Sequence, residues 1–225
     1  MRARSKRYKK ESEGLNKEPV SLAEAVDKVK SFKSVKFDQT VECVVNLGID
    51  PKQADQLVRG SLSLPHGIGK AKKVIAFCED SDAESAKQAG AIEAGCDELI
   101  KKVQDGWMDF DVAVASPKVM GKAGKLGRVL GPQGKMPSPK NGTVTMDVAK
   151  AVAEFAAGKI EFKNDAGGNV HVVVGKQSFD RQKLIENIDA SLTHIKKIKP
   201  SSAKGTYVKK ISISATMSPG VAVTA

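Results

Sequence analysis

Two kinds of alternation share this chain, and where each one falls constrains the fold more than any other feature. Residues 74–78 and 112–115 are short apolar strands, and residues 82–89 and 97–103 read as helices between them. A further helix starts at Asp147, a good capping residue, and runs to Gly158, which suits the position just past a helix end. Strands alternating with helices predict a parallel sheet with crossover connections over residues 68–158.

The flanks have a different pattern. Ser21 with Glu24 three residues on, preceded by Pro19, forms a capping box, and Leu22, Ala25, Val26 and Val29 mark one apolar face. Residues 37–47 read as a strand with Phe37, Val41, Cys43, Val45 and Leu47 on one side. Asp38, Thr40, Glu42 and Asn46 fall on the other, with Val44 the exception. Residues 60–64 suggest a short second strand. Residues 160–162 and 170–174 read as strands around a glycine turn at Gly167-Gly168. A long helix follows, with Leu184, Ile185, Ile188, Leu192 and Ile195 on one face and Pro200 past its end. Residues 208–217 form the last strand, in which Ile211, Ile213, Ala215 and Met217 alternate with Lys210, Ser212, Ser214 and Thr216.

Neither flank is large enough to bury a stable core alone. They are expected to fold onto each other, so that residues 1–67 and 159–225 make one domain and residues 68–158 are inserted into it. The two crossings, at Gly67 and Gly158, would then form a two-stranded hinge.

Charge separates the two parts further. Of the net +11, residues 1–67 carry +4, residues 159–225 carry +6 and residues 68–158 only +1. Such an excess points to a polyanion, and it belongs to the split domain. The inserted part still holds one basic stretch without an acid, with Lys118, Lys122, Lys125, Arg128, Lys135 and Lys140 among many glycines. The first 18 residues, with Arg2, Arg4, Lys6, Arg7, Lys9 and Lys10, read as a mobile arm that is either solvated or in contact with nucleic acid.

Several function classes fall away. Cys43, Cys78 and Cys96 form no Cys-x-x-Cys pair, and His66, His171 and His194 are far apart, so neither a disulfide framework nor a metal site is expected. The odd cysteine count suits a reducing cytosol. No apolar run approaches the roughly 20 residues of a membrane span, and the basic N-terminus lacks the apolar stretch of a secretory signal. Gly134-Lys135 is followed by Met136 where a phosphate-binding loop needs Ser or Thr, and Gly67-x-Gly69 is followed by Lys72 where the dinucleotide fingerprint needs glycine. No catalytic motif is present, and Asp109 with Asp111 reads as a turn or capping pair. No cofactor is expected and no enzymatic activity. Aromatic residues are 4% of the chain, too few for a protein that mainly stacks single-stranded bases. The polar sides of the two long strands, with Thr40 and Glu42 on one and Ser212, Ser214 and Thr216 on the other, suit shape-based RNA recognition. An ordinary solvated sheet face is the alternative.

Taken together, six segments resemble a known family. They are Lys36-Phe37-Asp38-Gln39-Thr40-Val41-Glu42, residues 59–67 (RGSLSLPHG), residues 105–111 (DGWMDFD), residues 126–132 (LGRVLGP), residues 158–165 (GKIEFKND) and Thr216-Met217. The chain is similar from about residue 5 to 221 to the bacterial large-subunit ribosomal proteins of the mobile lateral stalk, the L-one family. The resemblance implies a split α+β sandwich-like domain with an inserted Rossmann-like three-layer α/β domain. It implies that the chain is part of the large ribosomal subunit in the cytoplasm and binds the stalk helices of large-subunit rRNA. It also implies a part in releasing exit-site tRNA and repression of translation of its own operon mRNA. Carried over by position, the rRNA-binding residues are Lys36, Phe37, Thr40, Thr216 and Met217, with Glu42, Ser214 and Gly220 beside them. Lys122, Lys125, Arg128 and Lys135 are candidates for a tRNA or other RNA contact. Two departures stand out. Ser218 replaces a glycine usual in the family after Thr216-Met217, which would reshape the contact. Lys135-Met136 replaces an apolar pair before Pro137, which would strengthen that loop's hold on RNA. A nucleotide-dependent enzyme and a free translational repressor are the rival classes.

Overall fold

The computed structural model describes residues 4–15, 18–32 and 35–224, so Arg2 of the basic arm lies outside the described residues. In chain order the helices are α1 (Lys6–Glu13), α2 (Leu22–Ser31), α3 (Asp80–Gln88), α4 (Asp97–Gln104), α5 (Met120–Ala123), α6 (Gly127–Leu130), α7 (Val148–Ala156) and α8 (Arg181–Lys197). The strands are β1 (Thr40–Leu47), β2 (Arg59–Leu62), β3 (Val74–Phe77), β4 (Glu93–Gly95), β5 (Val112–Ala115), β6 (Ile160–Lys163), β7 (Asn169–Lys176), β8 (Val208–Ala215) and β9 (Val221–Val223). The chain forms two compact units, one of Met1–Gly69 with Phe162–Ala225 and the other of Lys70–Glu161.

The first unit is built on an antiparallel sheet of order β7-β1-β8-β9. Strict alternation sets its register. Val41, Cys43, Val45 and Leu47 of β1 face inward with Ile211, Ile213 and Ala215 of β8 and Val170, Val172 and Val174 of β7. A slip by one residue would turn all of them to water. Burial is complete enough to push the Cys43 thiol up to about 12. Helices α2 and α8 pack on this side, through Ala25, Val26 and Val29 of one and Leu184, Ile188 and Ile195 of the other. The capping box is present, with Ser21 Oγ accepting from Glu24 N and Glu24 Oε2 from Ser21 N. On α8 the inner stripe differs from the expected one. Ile185 and Leu192 are half-buried, while the polar Asn187 and Ser191 are fully buried. Asn187 donates to the Gly67 and Val174 carbonyls and accepts from His66 N, so its burial is matched by three hydrogen bonds.

The second unit has a parallel sheet of order β4-β3-β5 with a core on each face. Ala86, Val148, Val152 and Phe155 from α3 and α7 cover one side; Leu99, Val103, Leu126 and Leu130 cover the other. Asp147 caps α7 by accepting from Lys150 N, and Gly158 follows in the left-handed region at φ 109°.

Four expectations need correction. The supposed mobile arm contains α1, which starts where Ser5 Oγ accepts from Tyr8 N; it buries no residue, so apolar periodicity could not reveal it. The glycine-rich stretch 116–142 holds α5, α6 and a 3-10 turn between them, because Ala123, Leu126 and Leu130 are fully buried and pull the backbone into helical turns. Strands β6 and β7 do not form a hairpin. β6 pairs with β2, and a single bridge, Asn164 to Val170, joins the two segments. Finally, β4 and β9 were not anticipated, since three residues are too few to show a period.

Candidate nucleic-acid interface

Strand β1 begins at Thr40 and β8 ends at Ala215, so Phe37 and Met217 lie beyond the strands in which alternation had placed them. What lies between is a hydrogen-bonded knot. Thr216 N donates to the Thr40 carbonyl at 3.0 Å, and Thr40 N donates to Thr216 Oγ1 at 3.1 Å. Gln39 is fully buried beneath them. Its Oε1 accepts from Met217 N at 2.9 Å, and its Nε2 donates to Gln177 Oε1 at 2.9 Å. Gln177 in turn donates to the Val29 and Phe32 carbonyls at the end of α2. Each amide is satisfied, so the network is rigid rather than costly.

The knot fixes the backbone and leaves the side chains on either side of it in water. Phe37 is 51% exposed and Met217 50%. Burying a side chain of that size contributes roughly 1.5–3 kcal/mol. Two such groups flank one fully hydrogen-bonded base. Cations accompany them. Lys36 is exposed, Lys176 Nζ donates to Thr40 Oγ1 at 2.9 Å, and Arg7 Nη2 of α1 donates to the Met217 carbonyl at 2.8 Å.

From this end the open face of the sheet runs back along β1 and β8. Glu42 stands opposite Ser214, Val44 opposite Ser212 and Asn46 opposite Lys210. Asn46 Nδ2 donates to Asn169 Oδ1 at 2.7 Å. Gly220 joins Val44, Asn46, Lys210 and Ser212 in a shallow depression of about 310 Å³, where a side chain on Gly220 would meet nothing. His171 is on the same face, exposed, 3.8 Å from Asp165.

Ser218 does not point at this surface. Its hydroxyl accepts from Ala215 N at 2.9 Å and lies 3.2 Å from the Ala215 carbonyl, closing the turn that ends β8.

In the second unit half of the basic stretch, Lys118, Lys122 and Lys135, is engaged internally. Lys122 Nζ pairs with Asp97 at 2.9 Å, a bond that raises the lysine pKa and lowers that of the exposed Asp97. Lys118 pairs with Glu79 at 3.0 Å. Lys135 Nζ donates to the Phe110 carbonyl at 2.6 Å and the Met108 carbonyl at 3.2 Å, and stands over the Phe110 ring. Lys135 thus tethers the loop to its own unit. Lys125 and Arg128 are exposed and make no ion pair among the described residues. Gly67 and Gly158, expected at a hinge, each lie inside a unit, both at positive φ, with the Gly67 carbonyl held by Asn187.

Among the described residues no cluster of His, Cys, Asp or Glu could hold a metal ion. Asp109 pairs with Lys73, and Asp111 Oδ2 accepts from Lys73 N. No helix among them is long and apolar enough to cross a membrane. Gln177 and Lys176 escaped sequence reasoning. Gln39 lay in a segment singled out and Arg7 in the basic arm, but their roles depend on partners more than 130 residues away.

A model of the "Ribosomal protein L1p/L10e family" matches residues 29–219. Curated relatives carry the name large ribosomal subunit protein uL1. The chain is 52% identical to that of Thermobifida fusca over 98% of its own length and 94% of the relative. The figures are 53%, 98% and 95% for Cutibacterium acnes, and 52%, 97% and 95% for Chlorobaculum tepidum.

Proposed function

The chain belongs to the ribosomal protein L1p/L10e family, and from that premise we propose that it is a non-enzymatic constituent of the large ribosomal subunit that binds ribosomal RNA. It works in the cytoplasm, on the ribosome. The RNA is folded stalk-helix RNA, and the contact is the end of the four-stranded sheet. Phe37 and Met217 cover base or ribose faces, and Lys36 meets phosphates. Thr40, Glu42 and Ser214 offer hydroxyls and a carboxylate to ribose 2′-OH groups and base edges, Thr216 holds the strand ends together through its hydroxyl, and Gly220 lets the backbone approach closely. The observation that carries this reading is the half-exposure of Phe37 and Met217 on either side of a fully hydrogen-bonded base.

The finer roles follow from the same premise. A messenger segment of the chain's own operon, folded into a similar shape, would compete for this surface and be repressed. Exit-site tRNA would be met by the second unit, through Lys125 and Arg128 rather than Lys122 or Lys135, whose ammonium groups are already engaged. The two chain crossings that join the units, close to Gly67 and Gly158, would act as the hinge for that movement.

Phe37→Ala tests the reading. Affinity for a stalk rRNA fragment should fall by roughly 1–3 kcal/mol, the range for losing one stacked ring. Equal affinity for the two proteins would remove Phe37 from the interface.

A further inference from the structure

Helix α1 has two unlike sides. Arg7, Tyr8, Glu11 and Ser12 are half-buried, while Lys6, Lys9 and Lys10 are exposed and make no ion pair among the described residues. Three and four residues apart, these lysines share one face. Lys6 and Lys10 form a like-charge pair of the spacing that weakens a helix, and α1 buries no residue to compensate. The inner side is fastened instead. Arg7 stands 3.6 Å from Glu11 of its own helix and donates at 2.8 Å to the carbonyl of Met217. Ser5 Oγ accepts from Tyr8 N, and Arg4 lies over the Tyr8 ring at 4.6 Å.

An eight-residue helix with an unneutralised lysine face is thus moored to the main chain of the residue that flanks the sheet-end surface. We propose that α1 is a second RNA-gripping element, whose Lys6, Lys9 and Lys10 face takes the phosphate backbone beside the strand contact. The inference rests on the reading of the sheet end as an RNA site and extends its footprint across the N-terminal helix. Charge complementarity selects a polyanion. The absence of an apolar side on α1 argues against an acidic membrane surface, which an amphipathic helix grips by burying apolar residues.

The test uses the full chain and a stalk rRNA fragment, with affinity measured across a salt series and backbone protection mapped by hydroxyl radicals. A Lys6→Gln, Lys9→Gln, Lys10→Gln variant should flatten the log-log salt slope by about 2–2.7, as expected for three phosphates at about 0.7–0.9 each. It should also lose one stretch of protected backbone and keep the rest. Arg7→Ala should lose the same stretch, because the helix is unmoored, with its three lysines intact. An unchanged slope and footprint in the lysine variant would overturn the proposal and leave the sheet-end reading standing. Loss of the α1 stretch alongside an undiminished affinity for Phe37→Ala would do the reverse.

Discussion

In sequence, the sheet end of the first unit and the basic stretch of the inserted unit are alike, since both gather lysines near turns. In the folded chain they differ in what those groups have left to give. At the sheet end the hydrogen bonds are made beneath the surface by Gln39, Gln177, Thr40 and Thr216, and Lys36, Phe37 and Met217 remain free to meet a partner. In the inserted unit Lys118, Lys122 and Lys135 are each committed to an acid or a carbonyl of the same unit. A lysine that already has a counter-charge releases less on meeting RNA. On the proposed reading, the count of basic residues overstates the inserted region and understates the sheet end.

Breaking the support beneath the sheet end should have the largest effect. Gln39→Leu leaves Met217 N and Gln177 Oε1 without partners, while Gln177 Nε2 keeps the Val29 and Phe32 carbonyls; the cost is about 1–3 kcal/mol for each group left unpaired out of water. Denaturant unfolding should register a loss of about 3 kcal/mol, and RNA affinity should fall as Met217 loses its support. A stable variant with weakened RNA binding would show that the knot shapes the site without holding the unit together.

The turn itself comes next. Ser218→Gly removes a hydroxyl that accepts from Ala215 N, so stability should drop by about 1 kcal/mol. RNA affinity should stay as it was. A gain in affinity would mean that the hydroxyl obstructs the approach after all.

A smaller effect tests the inserted unit. Asp97→Asn frees Lys122, and the salt slope of binding to tRNA or nonspecific RNA should steepen by about 0.7–0.9. No change would place Lys122 out of reach of nucleic acid and erase the contrast drawn between the units.

The smallest concerns pH. Burial lowers the His194 pKa below its usual value, although the Ser61 backbone opposes the shift. The folded chain therefore binds this proton less readily than the unfolded chain, and stability is complete above the ordinary histidine range. It declines as pH falls from about 6.5, the unfolded value, through the lower folded value. His194→Phe should flatten that part of the unfolding midpoint curve; an unaltered slope would assign it to another group.

Much of the fold could be read in advance where a local pattern and a local cap agreed. The box at Ser21 and Glu24, the β1 alternation from Val41 to Leu47 and the Asp147 cap each rest on residues within a few positions of one another. The site was half legible. Residue types singled out two segments, which the fold brings side by side, but alternation carried too far put Phe37 and Met217 inside strands. Helix α1, with its polar composition, had no readable period, and the helical spacing of the buried Ala123, Leu126 and Leu130 was masked by the glycines among them.

What the sequence determined by itself was the apolar face of β1 and α2, the starts of α2 and α7 and where the excess charge lies, because periodicity, capping and net charge are properties of neighbours along the chain. Only the tertiary structure decided which cations are spent and which polar groups are satisfied. Arg7 and Met217 are separated by 210 residues, and Gln39 and Met217 by 178, so no local rule connects them. A hydrogen bond acts over about 3 Å of space whatever the distance along the chain, and it is this that holds the residues around Phe37 and Met217 on one base.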